Sequence, residues 1–268
     1  MVSRSQDAVA EAAARLTSAT VTRRPVAPVR DLIGDSDLAA GYAVQQRLAR
    51  RREASGGLMV GRKIGLTSPA VQRQLGVDQP DFGVLFADMN VSGRAEVPSH
   101  CLLQPKVEAE IAFVLKADLA EGDLDDTQVR AAVDHAVAAL EIVDSRIAGW
   151  DITIADTIAD NASSGLFVLA DDRLTLDDFE PRQATMQLYA DGELVSEGTG
   201  ADCLGDPVNA LAWLARTARS FGEPLRAGQI VLSGALGPMV PAPPGIRIRA
   251  EIRPLGPVSA TFSTEEPS

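Results

Sequence analysis

The sequence has little basic charge, histidine or cysteine, and each shortage excludes a class of protein. Its 25 lysines and arginines against 37 acidic residues give a net charge of −12, whereas a nucleic-acid-binding surface is expected to be basic. The two histidines and two cysteines do not stand at zinc-ligand spacing, and two cysteines are too few for a disulfide framework. They are His100, His135, Cys101 and Cys203. We therefore expect no nucleic-acid partner, no zinc site and no histidine-based catalytic triad.

Long apolar runs are also missing. No stretch approaches the roughly 18 apolar residues of a membrane helix, and charged residues such as Arg4, Asp7 and Glu11 interrupt any signal-peptide core. The composition, 46% hydrophobic and 23% charged, is that of an ordinary globular protein. We expect a cytoplasmic protein that has no membrane partner.

The periodicity of the apolar residues changes near residue 57. Before it, helical spacing predicts a helix over 5–16 and a second helix capped by Ser36. After it, runs rich in Val, Ile and Leu predict strands. These runs are 58–66, 107–115, 140–144, 165–169, 185–190, 229–233, 246–252 and 258–262. We therefore divide the chain into an N-terminal helical segment, 1–57, and a larger domain, 58–268.

Two helices and one hairpin complete this pattern. One helix spans about 126–138, and another opens with Asp206 as N-cap and Pro207 at its first position. Asp191 and Gly192 form a two-residue hairpin signal. Strands with so few helices between them predict an α+β fold, a mixed β-barrel or roll, rather than a doubly wound sheet. No glycine-rich phosphate-binding or dinucleotide-binding motif occurs.

The strand predicted over 107–115 is apolar except for two glutamates, Glu108 and Glu110. Residues i and i+2 of a strand face the same way, so both carboxylates point together from an element apolar enough to be buried. Like charges in a poorly solvated site raise one pKa strongly unless a cation compensates. We expect a positive group between them; the alternative is an exposed strand face with two solvated glutamates.

Glu141 is a third candidate ligand because it lies between the apolar runs 136–140 and 142–143. The run before it is interpreted as a helix end, and a solvent-facing residue at that end is the alternative. Three carboxylates without a histidine pair would form an all-oxygen site. Such a site selects a hard cation, Mg²⁺ or Mn²⁺.

Lys63 occupies a strand position between two glycines. In strand register Gly61, Lys63 and Gly65 share one face, which leaves room beside the ammonium for a ligand or a second backbone. A lysine near carboxylates can serve as an electrostatic anchor or a proton donor. A surface lysine beside structural glycines is an equally good interpretation.

Three further segments carry weaker signals. Asp81 lies in the turn-rich segment 76–83 and offers an acid/base group, with an Asx-turn as the alternative. Ser163 and Ser164 precede an apolar strand and offer hydroxyls to an anion. Ser233 begins a glycine-rich turn that could approach a carboxylate or simply be a loop.

These segments resemble those of a known family, the 2-keto-4-pentenoate hydratases, in the hydratase/decarboxylase branch of the fumarylacetoacetase-fold superfamily. The resemblance covers nearly the whole chain, and the segments occur in the family's order. They are GRKIGLTSPAVQRQLGVDQPDFG (61–83), QPKVEAEIAFVL (104–115), LEIVDSR (140–146), DNASSG (160–165) and LSGALGPMV (232–240). The resemblance implies a fumarylacetoacetase-type C-terminal barrel over 58–268.

The resemblance also implies a role for each candidate residue. The divalent metal would be held by Glu108, Glu110 and Glu141. The reacting end of the substrate would lie at Lys63 and Asp81. The substrate's carboxylate or the metal would be faced by Ser163, Ser164, Thr67 and Ser233.

The implied reaction is the hydration of 2-hydroxypenta-2,4-dienoate (2-oxopent-4-enoate) to 4-hydroxy-2-oxopentanoate, in the catabolism of aromatic or sterol rings. A 4-oxalocrotonate-type decarboxylase, or a non-catalytic partner subunit of one, is the alternative. The family further implies a homo-oligomer, with a pentamer or decamer as candidates, and a decarboxylase or aldolase as a partner enzyme. The histidine/glutamate pair of the carbon–carbon hydrolases of this fold is not evident.

Overall fold

Helices occupy the start of the chain and three later positions. The computed structural model describes residues 2–68, 72 and 79–265. Its helices are α1 (Val2–Thr22), α2 (Arg30–Ile33), α3 (Leu38–Ala54), α4 (Asp126–Ala132), α5 (Ile154–Ala159) and α6 (Pro207–Ser220). Among the described helices, none combines the length and apolar character that crossing a membrane requires.

The strands form two sheets. They are β1 (Met59–Gly65), β2 (Asp81–Phe86), β3 (Lys106–Leu115), β4 (Val133–Val143), β5 (Ser164–Leu169), β6 (Thr185–Ala190), β7 (Glu193–Thr199), β8 (Ile230–Ala235), β9 (Val240–Pro241), β10 (Arg247–Arg253) and β11 (Gly256–Thr261). In the larger sheet the order is β2, β1, β8, β3, β4, β5, with the short β9 also paired to β3. The smaller sheet has the order β11, β10, β6, β7.

The larger sheet is mixed and curled. Strands β1 and β8 run parallel, whereas the other pairs are antiparallel. An isolated bridge between Asn90 and Phe167 brings the segment that follows β2 close to the edge strand β5. The sheet is therefore a half-closed barrel, and the α+β barrel or roll predicted from the sequence is confirmed.

Strand β3 shows how the core is divided. Val107, Ile111 and Phe113 point to one side and pack with residues of the second sheet and of α6. Glu108, Glu110 and Ala112 alternate with this face and point to the other side, into the curl of the sheet. Burying each large apolar side chain contributes about 1.5–3 kcal/mol, so the apolar face fixes which side the two glutamates take.

The N-terminal helices are anchored to the sheet domain through α5. The buried Asp156 of α5 accepts hydrogen bonds from the backbone N–H groups of Val29 and Arg30, at 2.8 and 2.9 Å. Gln45 of α3 donates to the carbonyl oxygens of Phe82 and Ile158, at 2.8 and 3.0 Å. The helical segment is thus held at the rim of the half-barrel by buried polar contacts.

Some predicted boundaries are wrong. The helix predicted over 5–16 extends over Val2–Thr22, and the short α2 was not foreseen. Asp37, not Ser36, caps α3, because its side chain accepts the N–H of Ala40.

The helix predicted over 126–138 ends at Ala132, and the alanine-rich run that follows is β4. Alanine and leucine favour helices intrinsically. Here pairing on both sides with β3 and β5 overrides that preference. The physical reason is long-range, and no local pattern carries it.

Other local signals are confirmed. Asp206 caps α6 and Pro207 is its first residue. The Asp191–Gly192 pair turns between β6 and β7 with positive φ at both residues, 49° and 91°, as a tight hairpin requires.

Candidate active site

Three glutamates converge inside the curl of the larger sheet. Glu108 and Glu110 lie on the same face of β3, and in the antiparallel register Glu108 is the direct partner of Glu141 on β4. One carboxylate oxygen from each lies within 4.8 Å of the others. The register places Glu141 beside the other two glutamates. The interpretation of the preceding run, 136–140, as a helix end did not predict this contact. Neither histidine belongs to this cluster.

The environment of the glutamates disfavours their charged form. Burial, followed by the charge of Glu141, raises the pKa of Glu108 to about 7. Burial likewise raises the pKa of Glu110 and of Glu141. Lys63 opposes this effect on all three. A single ammonium leaves the cluster with excess negative charge.

A bulge in β8 holds Glu110. The register between β3 and β8 shifts between Glu110 and Ala112, and Gly234 within the bulge has φ of 107°. Its N–H donates to Glu110 Oε2 at 2.8 Å. A Cβ atom on Gly234 would lie 2.3 Å from Thr67 Cγ2. Glycine is therefore required here both by its backbone conformation and by the close approach of Thr67.

Two more buried groups line this bulge. The thiol of Cys203 donates to the carbonyl oxygen of Ser233 at 3.1 Å, and burial raises the pKa of that thiol. Ser233 Oγ lies 3.4 Å from the carbonyl oxygen of Gly234. Thr67 accepts the N–H of Leu204 through its carbonyl oxygen. Thr67 and Ser233 thus lie at the bulge beside Glu110.

Lys63 stands on β1 facing the glutamates. Its Nζ lies 3.0 Å from Glu141 Oε1, and both side chains are buried. Burial alone would lower the pKa of Lys63, but the surrounding carboxylates, Glu141 first, raise it above its ordinary value. Lys63 is therefore a buried, charged ammonium at neutral pH.

Asp81 begins β2 instead of lying in a turn. It pairs with Gly65 across the β1–β2 ladder, and a Cβ atom on Gly65 would lie 2.3 Å from Asp81 Oδ1 and 3.5 Å from Lys63 Nζ. The bare strip predicted beside Lys63 is therefore filled by a carboxylate. Burial raises the pKa of Asp81, with Lys63 opposing the shift. Residues 76–78 of the predicted turn lie outside the described residues.

The serines of the DNASSG segment lie on a turn next to Asp81. The hydroxyls of Thr157 and Ser163 are 3.5 Å apart, and Thr157 donates to Asp81 Oδ2 at 3.3 Å. Ser164 Oγ donates to the carbonyl oxygen of Asn161 at 2.8 Å. Ser163 thus joins the cluster through Thr157, whereas the hydroxyl proton of Ser164 is engaged within the turn.

The residues present fit a hard divalent cation. Within the described part of the chain, no hydrogen-bond donor serves three buried carboxylate oxygens, Glu110 Oε1, Glu141 Oε2 and Asp81 Oδ1. Unpaired buried carboxylates are costly, and an all-oxygen donor set is the one that Mg²⁺, Mn²⁺ and Ca²⁺ prefer. A cation held by the three glutamates would balance the excess charge and pair the free oxygens of Glu110 and Glu141.

Two residues of this region were not anticipated by the sequence analysis. Thr157 lies in the middle of α5, and no motif distinguishes it. Asn161 stood inside the quoted DNASSG segment but was not assigned a role. Its amide binds both backbone groups of Val84, at 2.8 and 2.9 Å.

Fold and site together define a class, an enzyme built on a half-closed barrel whose curled sheet carries a carboxylate cluster with the oxygen donors that suit a divalent metal. A model of the fumarylacetoacetate hydrolase C-terminal family matches residues 64–263. A 2-keto-4-pentenoate hydratase from Burkholderia vietnamiensis is 51% identical over 257 residues, which cover 96% of this chain and 98% of the relative. The TodF product hydratase of Pseudomonas putida is 54% identical over 256 residues, 96% of each chain.

A solved structure agrees with these relatives. The 4-oxalocrotonate decarboxylase from Pseudomonas putida G7, complexed with magnesium and adipate, superposes with a TM-score of 0.91 at 33% identity, covering 96% of this chain and 97% of the other. The chain therefore belongs to the fumarylacetoacetate hydrolase family and, within it, to the 2-keto-4-pentenoate hydratases.

Proposed function

We propose that the protein is a metal-dependent hydratase that converts 2-hydroxypenta-2,4-dienoate and water into 4-hydroxy-2-oxopentanoate, in the catabolism of aromatic or sterol rings. The observation that carries this proposal is the buried cluster of Glu108, Glu110 and Glu141 beside Lys63 and Asp81. Relatives named as hydratases at 51–54% identity over 96% of the chain support the reaction class and the substrate.

The three glutamates would hold Mg²⁺ or Mn²⁺, since both ions prefer oxygen ligands such as carboxylates. When bound, such an ion supplies Lewis-acid stabilisation of negative charge that develops on the oxygens of a 2-oxo acid. The unpaired oxygens of Glu110 and Glu141 are the ones free to bind it.

The reaction requires two proton movements and one addition of water. The 2-hydroxyl proton leaves while a proton is added at C5, which gives an α,β-unsaturated ketone. The oxygen of water then bonds to C4, one of its protons is lost, and C3 gains a proton. Each step conserves atoms and electrons, and the net change is the addition of one water molecule.

Lys63 and Asp81 are the groups that we propose move these protons. Lys63 is a buried ammonium and can balance the substrate carboxylate. Because burial raises the pKa of Asp81, its carboxyl group can hold a proton closer to neutral pH than an exposed aspartate, as a general acid must. Thr157 and Ser163 extend the polar chain from Asp81, and Thr67 and Ser233 would contact the substrate carboxylate.

A product assay on the purified protein tests this function. With Mg²⁺, the dienoate absorbance should fall and 4-hydroxy-2-oxopentanoate should appear; EDTA should abolish turnover, and added Mg²⁺ or Mn²⁺ should restore it. Glu110→Gln should lower kcat/KM by at least 100-fold, as the loss of one metal ligand removes much of the transition-state stabilisation.

The exposed Glu193 on β7 provides the matched control, since Glu193→Gln changes the same group far from the cluster. Turnover that is indifferent to EDTA would contradict the metal site. Equal losses in Glu110→Gln and Glu193→Gln would contradict the assignment of Glu110.

The likeness to the 4-oxalocrotonate decarboxylase structure favours a second candidate, loss of CO₂ from a longer diacid at the same site. Incubation with each substrate separates the two. A dienoate absorbance that persists while 4-oxalocrotonate is consumed identifies a decarboxylase. An isolated chain that turns over neither substrate, yet binds a decarboxylase, identifies a non-catalytic partner subunit. The homo-oligomer and an aldolase partner stay predictions.

A further inference from the structure

The turn between α5 and β5 has an unusual backbone. Asn161, Ala162 and Ser163 are consecutive non-glycine residues with φ of 57°, 51° and 53°. The left-handed conformation costs such residues roughly 1–2 kcal/mol each, and the cost persists only where the surroundings hold the backbone in place. Contacts with neighbouring residues must therefore hold this turn.

The side chain of Asn161 holds it on one side. Its Oδ1 accepts the N–H of Val84 at 2.8 Å, and its Nδ2 donates to the carbonyl oxygen of Val84 at 2.9 Å. The amide thereby occupies the place of a neighbouring strand residue on the open edge of β2, between β2 and β5. Gly83 makes this approach possible, since a Cβ atom there would lie 2.3 Å from the carbonyl oxygen of Asn161.

Arg146, which follows β4, holds the two ends of the turn. Its guanidinium donates to the carboxylate and the carbonyl oxygen of Asp160, just before the turn. It also donates to the carbonyl oxygen of Ser164, just after the turn, at 2.7 Å. Asp160 itself is buried and accepts the hydroxyl of Ser145 at 3.0 Å.

Packing encloses the middle of the turn but not its ends. Ala162 and Ser163 are buried, whereas a cavity of about 520 Å³ lies beside the ends, where Arg146, Asp160, Asn161 and Ser164 are among its lining residues. The N–H of Asp144 donates to the carbonyl oxygen of Ser163 at 2.8 Å, and at the ends of the turn the hydrogen bonds of Asn161 and Arg146 supply the restraint that packing does not. If the hydrogen bonds of Asn161 or those of Arg146 are lost, the strained turn can relax toward the cavity.

We infer that Asn161 and Arg146 are positioning residues, which hold the left-handed turn so that the Ser163 hydroxyl stays within reach of Thr157 and Asp81. The inference rests on the proposed function, because the reaction uses the carboxyl group of Asp81. Asn161 and Arg146 thereby maintain two distances: 3.5 Å between the hydroxyl oxygens of Ser163 and Thr157, and 3.3 Å between the Thr157 hydroxyl and Asp81 Oδ2.

Asn161→Asp and Arg146→Lys test the inference on the full-length protein loaded with Mg²⁺. Aspartate keeps the acceptor for the Val84 N–H but places an oxygen against the Val84 carbonyl. Lysine cannot serve the carboxylate and both carbonyls at once, because it lacks the planar fork of arginine. Asn209→Asp is the matched control, since the exposed Asn209 also donates its amide to a backbone carbonyl, that of Leu204 at 3.0 Å.

Three readouts separate positioning from folding. Hydrogen exchange of peptides spanning 82–86 and 160–166 should become faster in both variants. The kcat should fall by about 100-fold, the loss that a misplacement near 1 Å brings, while KM stays within about threefold. The magnesium Kd from calorimetry should also stay within about threefold of the unaltered protein. Asn209→Asp should change none of them.

Unchanged kcat beside faster exchange would overturn the inference, because the turn would then be purely structural. A parallel loss of magnesium affinity would also overturn it, because the effect would then spread through the glutamate cluster. If the unaltered protein does not hydrate the dienoate but consumes another substrate, the proposed function fails separately, and kcat and KM for that substrate test the turn.

Discussion

At the scale of single residues, the site depends on glycines that leave space for charged side chains. Gly65 is the clearest case. Asp81 Oδ1 fills the space that a side chain at position 65 would need, and the same point lies 3.5 Å from the Lys63 ammonium. The absence of one methyl group thus allows a carboxyl group and an ammonium to share the face of two paired strands.

Gly65→Ala should therefore displace the Asp81 carboxyl group and lower kcat by about 10- to 100-fold. The φ of Gly65 is not in the left-handed region. The expected cause of the lower kcat is therefore steric displacement of Asp81 and not backbone strain. Magnesium affinity, measured by calorimetry, should change little because the atoms nearest to a Cβ at position 65 belong to Asp81 and Lys63 and not to the three glutamates.

Gly234→Ala, in contrast to Gly65→Ala, should disturb the metal side of the site. Strain at φ of 107° and contact with Thr67 should move the N–H that binds Glu110, so magnesium affinity should fall together with kcat. The same effect of both substitutions on magnesium affinity would contradict this division between a proton-transfer side and a metal side.

At the scale of secondary-structure elements, one buried carboxylate makes several of the contacts that hold the helical segment. Asp156 of α5 accepts the N–H groups of Val29 and Arg30 and also pairs with the Arg30 guanidinium at 2.9 Å. It further accepts, at 3.0 Å, the hydroxyl of Thr153, which is the N-cap residue of α5. A single side chain thus joins two helices and the loop between α1 and α2.

Asp156→Ala should lower the free energy of unfolding by about 2–4 kcal/mol, because it leaves buried N–H groups without acceptors. Urea unfolding followed by circular dichroism measures this loss. Asp178→Ala is the control, since the exposed Asp178 accepts the backbone N–H and hydroxyl of Thr175 in a similar arrangement; it should cost less than about 1 kcal/mol. Equal costs for the two would contradict the importance assigned to the buried contact.

At the scale of the whole molecule, the carboxylate cluster links stability to pH and to metal. The pKa of Glu108 is raised from 4.5 to about 7, so between these values the folded state holds a proton that the unfolded state has lost. Without metal, stability therefore falls as pH rises through this range. A metal ion binds the deprotonated carboxylates, so its stabilising effect should grow over the same range.

Thermal unfolding from pH 5 to pH 8 tests this linkage. The difference between the Tm in Mg²⁺ and the Tm in EDTA should widen as pH rises. In EDTA, Glu108→Gln should make the decline of Tm less steep than in the unaltered protein, because one of the carboxyl groups with a raised pKa is gone. A Tm difference that narrows toward pH 8 would show that the cluster does not bind the ion in its deprotonated form.

The sequence by itself determined the features whose physical cause is local. Period-two spacing on a strand put Glu108 and Glu110 on one face and Lys63 on a strip between glycines, and the Asp191–Gly192 hairpin and the Asp206–Pro207 helix start followed from turn and cap chemistry. The pattern of strands with few helices predicted the α+β class, and the resemblance of the motifs to a family added the fumarylacetoacetase type; the structure confirms both.

Only the tertiary structure decided which distant residues meet. The register of β4 against β3 placed Glu141 opposite Glu108, in a run whose local preference is helical. Pairing of β2 with β1 brought Asp81 to Gly65, and α5 and its turn brought Thr157 and Asn161 to the edge of the sheet. These contacts depend on burial and on hydrogen bonds between strands far apart in the chain, which the spacing of neighbouring residues does not encode.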